Sequence, residues 1–116
     1  MPAAAAGDAK SGEALYERCA ACHSLERDRA GPRHCGLFGR RAGSVRDFPY
    51  TAGMKRSKIV WNADSLDRFL ADPEAVVPGT AMGLARVASA AERADLIAYL
   101  EAAGKSRTCK SVSAAR

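Results

Sequence analysis

Cys19-Ala20-Ala21-Cys22-His23 decides how the rest of the chain is read. Two cysteines with two residues between them, followed at once by histidine, form the pattern of c-type haem attachment. Each thiol can add to one of a porphyrin's two vinyl groups, and a helical turn between the cysteines presents both sulfurs to one ring edge. The next residue then lies under the iron, where a neutral imidazole is a good axial ligand. Two other readings use the same residues. A thioredoxin-like dithiol needs a strand before it and a helix after it in a βαβ chain, whereas here an amphipathic helical pattern leads into the pair. A zinc site needs a second ligand pair at comparable spacing, and Cys35 and Cys109 stand alone.

Upstream, Asp8 is a good N-cap, and the pattern predicts a helix to about Ala20. Gly12, Leu15, Tyr16 and Cys19 recur at three- and four-residue spacing, so they share one face. A glycine inside a helix costs about 1 kcal/mol, which points to close approach of another helix at Gly12. Downstream, residues 24–60 are rich in Gly, Arg and turn residues and have no periodicity of their own. A loop this long needs something other than side-chain packing to hold it, and a haem edge would serve. Asn62 then caps a helix with Leu66, Phe69 and Leu70 inward, ended before Pro73. Pro78-Gly79-Thr80-Ala81-Met82 breaks the chain again. Ser89-Ala90-Ala91-Glu92 reads as a capping box, opening a helix with Leu96, Ile97, Leu100 and Ala103 inward and stopping at Gly104. The expected fold is all-α, with three main helices and long loops. Residues 1–116 form one domain, with 1–6 a disordered lead and 105–116 a C-terminal tail.

With 116 residues, 47% of them hydrophobic, the chain can build only a modest core, and much of that fraction is alanine. A central haem would supply the missing apolar surface. No run of about 18 apolar residues exists to span a membrane. The start, Met1-Pro2-Ala3-Ala4-Ala5-Ala6, lacks the basic and long apolar segments of a secretory signal, so an exported protein would have lost its signal. The net charge is +5 and unevenly spread: residues 24–58 carry nine Lys/Arg against three acids, and 59–104 three against seven. Such separation suits orientation toward a charged partner. Nucleic acid is disfavoured, because the basic residues are not interleaved with aromatics and no binding motif appears.

A six-coordinate haem needs a second axial ligand, and His34, Met54 and Met82 are the candidates. A lone methionine is usually core filler, which is the reading for Met54. Met82 differs because it sits in a Pro-Gly-Thr turn able to hold a loop rigidly over the far haem face.

Taken together, Gly7-Asp8, Gly12, Cys19 to His23, Gly31-Pro32, Gly36-Leu37-Phe38-Gly39-Arg40, Trp61, Leu66, Leu70, Pro73, Pro78 to Met82 and Glu92 to Leu100 resemble a class I c-type cytochrome. The likeness is to the bacterial type nearest mitochondrial cytochrome c, and it covers roughly residues 7 to 101. It implies the class I fold around one covalently bound haem c, with thioethers at Cys19 and Cys22 and iron ligands at His23 and Met82. The Pro32 carbonyl would accept the other ring N–H of His23. Arg40, Tyr50, Trp61 and Thr80 would surround the propionates, and Gly12 and Tyr16 would pack across Leu96 and Tyr99.

The resemblance further implies a soluble, monomeric one-electron carrier in the periplasm, not an enzyme. Its partners would be redox proteins: a dehydrogenase or cytochrome complex as donor, and an oxidase or reaction centre as acceptor. An electron-transfer subunit docked to a larger dehydrogenase is the alternative, followed by a small haem peroxidase, which needs an open iron position. Several residues depart from the family pattern. Phe69 replaces a common tyrosine, Glu74, Ala75 and Ala81 stand where lysines usually ring the haem edge, and His34 stands where leucine is usual. In the fold this chain resembles, the last helix ends near the loop after the haem motif, so Cys35 and Cys109 are expected to meet there as a disulfide.

Overall fold

A computed structural model describes residues 7–114, with side chains to residue 111. The expected disordered lead, residues 1–6, lies outside the described residues. Six helices follow in order: α1 (Ala9–Tyr16), α2 (Ala52–Arg56), α3 (Ala63–Ala71), α4 (Pro73–Val76), α5 (Ala90–Gly104) and α6 (Arg107–Ala114). Among the described residues the extended pairing is one isolated bridge, Arg41 with Val60.

The frame is the crossing of α1 with α5, and glycine sets how close the two lie. A Cβ on Gly12 would overlap the Asp95 carbonyl and sit 2.8 Å from Tyr99 Cβ, so a larger residue would push the helices apart. Asp8 caps α1 through the Lys10 amide, and its own N–H donates to Asp95 Oδ1 across 87 positions. Tyr16 then packs its ring on Tyr99, with centroids 5.2 Å apart. The third main helix, α3, joins this pair through Leu66, Phe69 and Leu70, which share a core with Leu96, Ile97 and Leu100. Arg93 ties α5 to α3 by donating Nε to Asp67 at 2.7 Å and Nη1 to the Val87 carbonyl.

Four local expectations need correction. α1 ends at Tyr16, and residues 17–22 continue as hydrogen-bonded turns rather than a helix reaching Ala20. The reciprocal capping box belongs to Asn62 and Ser65 at the start of α3. At α5 the Ser89 hydroxyl does accept from the Glu92 amide, but the Glu92 carboxylate pairs with Arg18 at 3.6 Å. Residues 107–114 of the supposed tail form α6, held at Cys109, which is buried beside Cys35. Short helices α2 and α4 also interrupt segments read as loop.

Candidate haem site

The turns after α1 shape the attachment segment. Both the Cys22 and His23 amides donate to the Cys19 carbonyl, at 3.0 and 2.8 Å. The loop that follows folds back on it: Gly31 N–H donates to Cys22 O, and Arg29 Nη1 donates to Ala20 O at 2.6 Å. Cys19 and Cys22 are free thiols, half-buried and exposed respectively. Burial pushes the Cys19 thiol above its ordinary pKa.

His23 is buried, and its Nδ1 lies 2.9 Å from the Pro32 carbonyl oxygen. A carbonyl only accepts, so Nδ1 carries the proton and Nε2 keeps its lone pair for a metal. Burial lowers the His23 pKa, the Pro32 hydrogen bond works against this, and nearby Arg29 adds to it; the neutral form is the one that ligates. Gly31 packs against this ring so closely that a Cβ there would sit 2.6 Å from both ring nitrogens. Pro32 thus holds one edge of the imidazole while Gly31 makes room for it.

His23 opens onto a cavity of about 150 Å³ walled by apolar side chains, including Leu66, Phe69 and Leu70 of α3 and Leu96 and Leu100 of α5. A second cavity, of about 350 Å³, lies beside it and takes in Cys22, Leu84 and Arg86. Cys19, His23 and Met82 line both; Met54 lines only the first. Met82 is half-buried, and its amide donates to Thr80 Oγ1 at 3.1 Å within the turn that begins at Pro78. Gly79 takes φ +80° there, and its amide donates to Glu74 at 2.7 Å.

The remaining expected residues also reach this wall: Pro32, Arg40, Tyr50, Trp61 and Thr80 all line the first cavity. Tyr50 accepts the Val45 N–H at its hydroxyl oxygen, which leaves the hydroxyl proton to donate elsewhere. Arg40 donates to the Arg33 and Cys35 carbonyls, at 2.9 and 2.7 Å, and so braces the loop carrying His34. His34 does not face His23 across the cavity as a second ligand must. It stacks on the His23 ring, with centroids 4.1 Å apart and planes 22° apart. The cradle at Gly31 was carried in the sequence only as a Gly-Pro pair, and no local pattern gave the His23–His34 stack.

A thiol pair on one turn, an imidazole with its outer nitrogen fixed, and an apolar cavity with a thioether at its wall define a c-type haem protein. The comparisons agree. A family model for cytochrome c matches residues 9–104. Cytochrome c of Gibberella zeae is 44% identical over 101 residues, covering 84% of this chain and 95% of the relative. Cytochrome c2 of Blastochloris viridis is 40% identical, covering 84% and 80%. The structure of cytochrome cH from Methylobacterium extorquens matches with a TM-score of 0.79 and 35% identity, covering 83% of this chain and 99% of that one. The chain belongs to the cytochrome c family. It is therefore an electron carrier, not an enzyme, and its cofactor is a covalently bound haem c with iron. The free thiols, the neutral His23 and the apolar walls all suit that group.

Proposed function

We propose that the chain carries single electrons with His23 and Met82 as the axial ligands and Cys19 and Cys22 as the points of attachment. The observation that carries this reading is that Cys19, His23 and Met82 line both cavities while Met54 lines only one. When bound, the haem supplies one iron centre that cycles between ferric and ferrous states. The chain's own residues keep the surroundings unchanged between the two. Pro32 accepts from Nδ1–H, which orients His23 and raises its basicity. Thr80 holds the Met82 backbone, and its own amide donates to the carbonyl of buried Val77 at 3.0 Å. Leu66, Leu70, Leu96 and Leu100 keep water out, and a dry setting disfavours added positive charge on the iron. Arg40, Tyr50, Trp61 and Thr80, which all line the first cavity, would form the polar end that holds the propionates.

The same reading places the protein in the periplasm, as a monomer exchanging electrons with other redox proteins. Cys35 and Cys109 are both buried, with Cα atoms 5.1 Å apart, a separation that suits a disulfide. Structural disulfides persist in oxidising compartments. No described helix is long and apolar enough to cross a membrane.

The test of ligation is optical. Oxidised protein should show the near-infrared charge-transfer band of methionine–iron bonding. Met82→Ala should abolish it, open the iron to cyanide and lower the potential, since thioether ligation favours the ferrous state. An intact band in Met82→Ala, with its loss in Met54→Ala, would overturn the assignment.

A further inference from the structure

His34 lies on the same side as His23 and touches it, yet takes no part in the ligand set. Its contacts make it a fixed object. The Tyr16 hydroxyl is 2.8 Å from His34 Nδ1, with the two rings edge to face at 5.6 Å. The His34 amide donates to Ser24 O at 3.1 Å. Arg40 holds the carbonyls of residues 33 and 35 on either side, and Cys35 is itself buried against α6.

The Pro32 hydrogen bond alone leaves the His23 ring some freedom. It fixes where Nδ1 lies, but a single hydrogen bond tolerates a broad range of approach to a carbonyl, so the imidazole plane can rock about it. A flat ring packed at 22° removes that freedom, because rocking would drive one edge of His23 into His34. The contact runs back through the Tyr16 hydroxyl to α1, one half of the helix crossing that frames the fold.

We propose that His34, held by Tyr16, is a positioning residue that sets the plane of the His23 imidazole relative to the haem. Groups behind a metal ligand orient it and tune the metal; here the Pro32 carbonyl sets direction and tautomer, and the His34 ring sets the plane. This rests on His23 being the ligand, as proposed above. The orientation of an axial imidazole governs how unpaired spin spreads over a low-spin ferric haem, so the pattern of paramagnetically shifted haem-methyl resonances reports it directly.

The experiment compares oxidised wild-type holoprotein with His34→Leu and Tyr16→Phe by proton NMR and electron paramagnetic resonance, well below each melting temperature. Both variants should redistribute the haem-methyl shifts and alter the g-anisotropy, His34→Leu more than Tyr16→Phe. Lost stability alone does not move these signals. If His34→Leu fails to take up haem, Tyr16→Phe decides, since it removes a single hydroxyl. A wild-type pattern in the variants that load haem would overturn the proposal. Absence of a histidine-ligated low-spin signal in the wild type would instead refute the assignment of His23.

Discussion

Replacing Gly31 with alanine adds one methyl group where the site has least room for it. That carbon would lie 2.6 Å from both nitrogens of the His23 ring, against the 3.0 Å that real Cβ atoms keep. Ring and loop must therefore separate by at least the 0.4 Å difference, and by more at Cε1. The backbone at Gly31 cannot yield easily, because its N–H is bound to Cys22 O and its carbonyl accepts from Arg29 N, both at 2.8 Å. The strain falls on the His23–Pro32 hydrogen bond. Overpacking costs about 1–3 kcal/mol, and losing that bond adds about 0.5–1.5 kcal/mol. Reduced freedom of the unfolded chain returns only about 0.4–1 kcal/mol. The net loss is about 2 kcal/mol, a fall of roughly 10 °C in Tm for a domain of this size. Thermal melting of oxidised holoprotein, followed at the haem absorption and by far-ultraviolet circular dichroism, measures it. The visible spectrum should shift as well, because His23 becomes a poorer donor when its Nδ1–H loses Pro32. A Gly31→Ala protein with wild-type Tm and spectrum would refute the argument that Gly31 is there to make room for the ligand.

Two further outcomes follow from the frame. Gly12→Ala should lower Tm despite alanine's better helix propensity, because the methyl meets the α5 backbone. Gly104→Ala, with nothing within 4 Å of its Cβ, should be neutral or stabilise by up to about 1 kcal/mol, and the same melting assay separates them. In the unfolded holoprotein a thiol reagent should find no free thiols before reduction and two after it, and replacing Cys35 and Cys109 by serine should cost about 4 kcal/mol for a loop of this length; two reactive thiols before reduction would sink the disulfide.

Much of the site was legible because its chemistry is local. Cys19, Cys22 and His23 occupy a single turn, and Asp8, Asn62 and Ser89 announce their helices by side-chain capping that acts over two or three residues. α6 is hard to read because Arg107 to Ala114 is mostly polar, with Cys109 and Val112 its only sizeable apolar residues; what holds it is Cys109 against Cys35, a contact 74 residues away in sequence. The exchange of capping boxes has a similar origin. Glu92 has the right spacing to reach back to Ser89, but the turn after α1 brings Arg18 within its reach, and the ion pair competes. His34 is the clearest limit. Its sequence neighbours say nothing about His23, and only folding the loop back onto the attachment turn stacks the rings.

The crossing of α1 and α5 also orders events in time. Asp8 meets Asp95, and Gly12 meets the same stretch of backbone, so the frame cannot close until nearly the whole chain is available. Contacts this far apart in sequence are slow to form, since the long loop between them must be closed first. During that interval Cys19, Cys22 and His23 belong to an open chain, within reach of attachment chemistry. The long separation between the crossing helices would thus leave the cofactor a window in which to arrive before the walls around it are built.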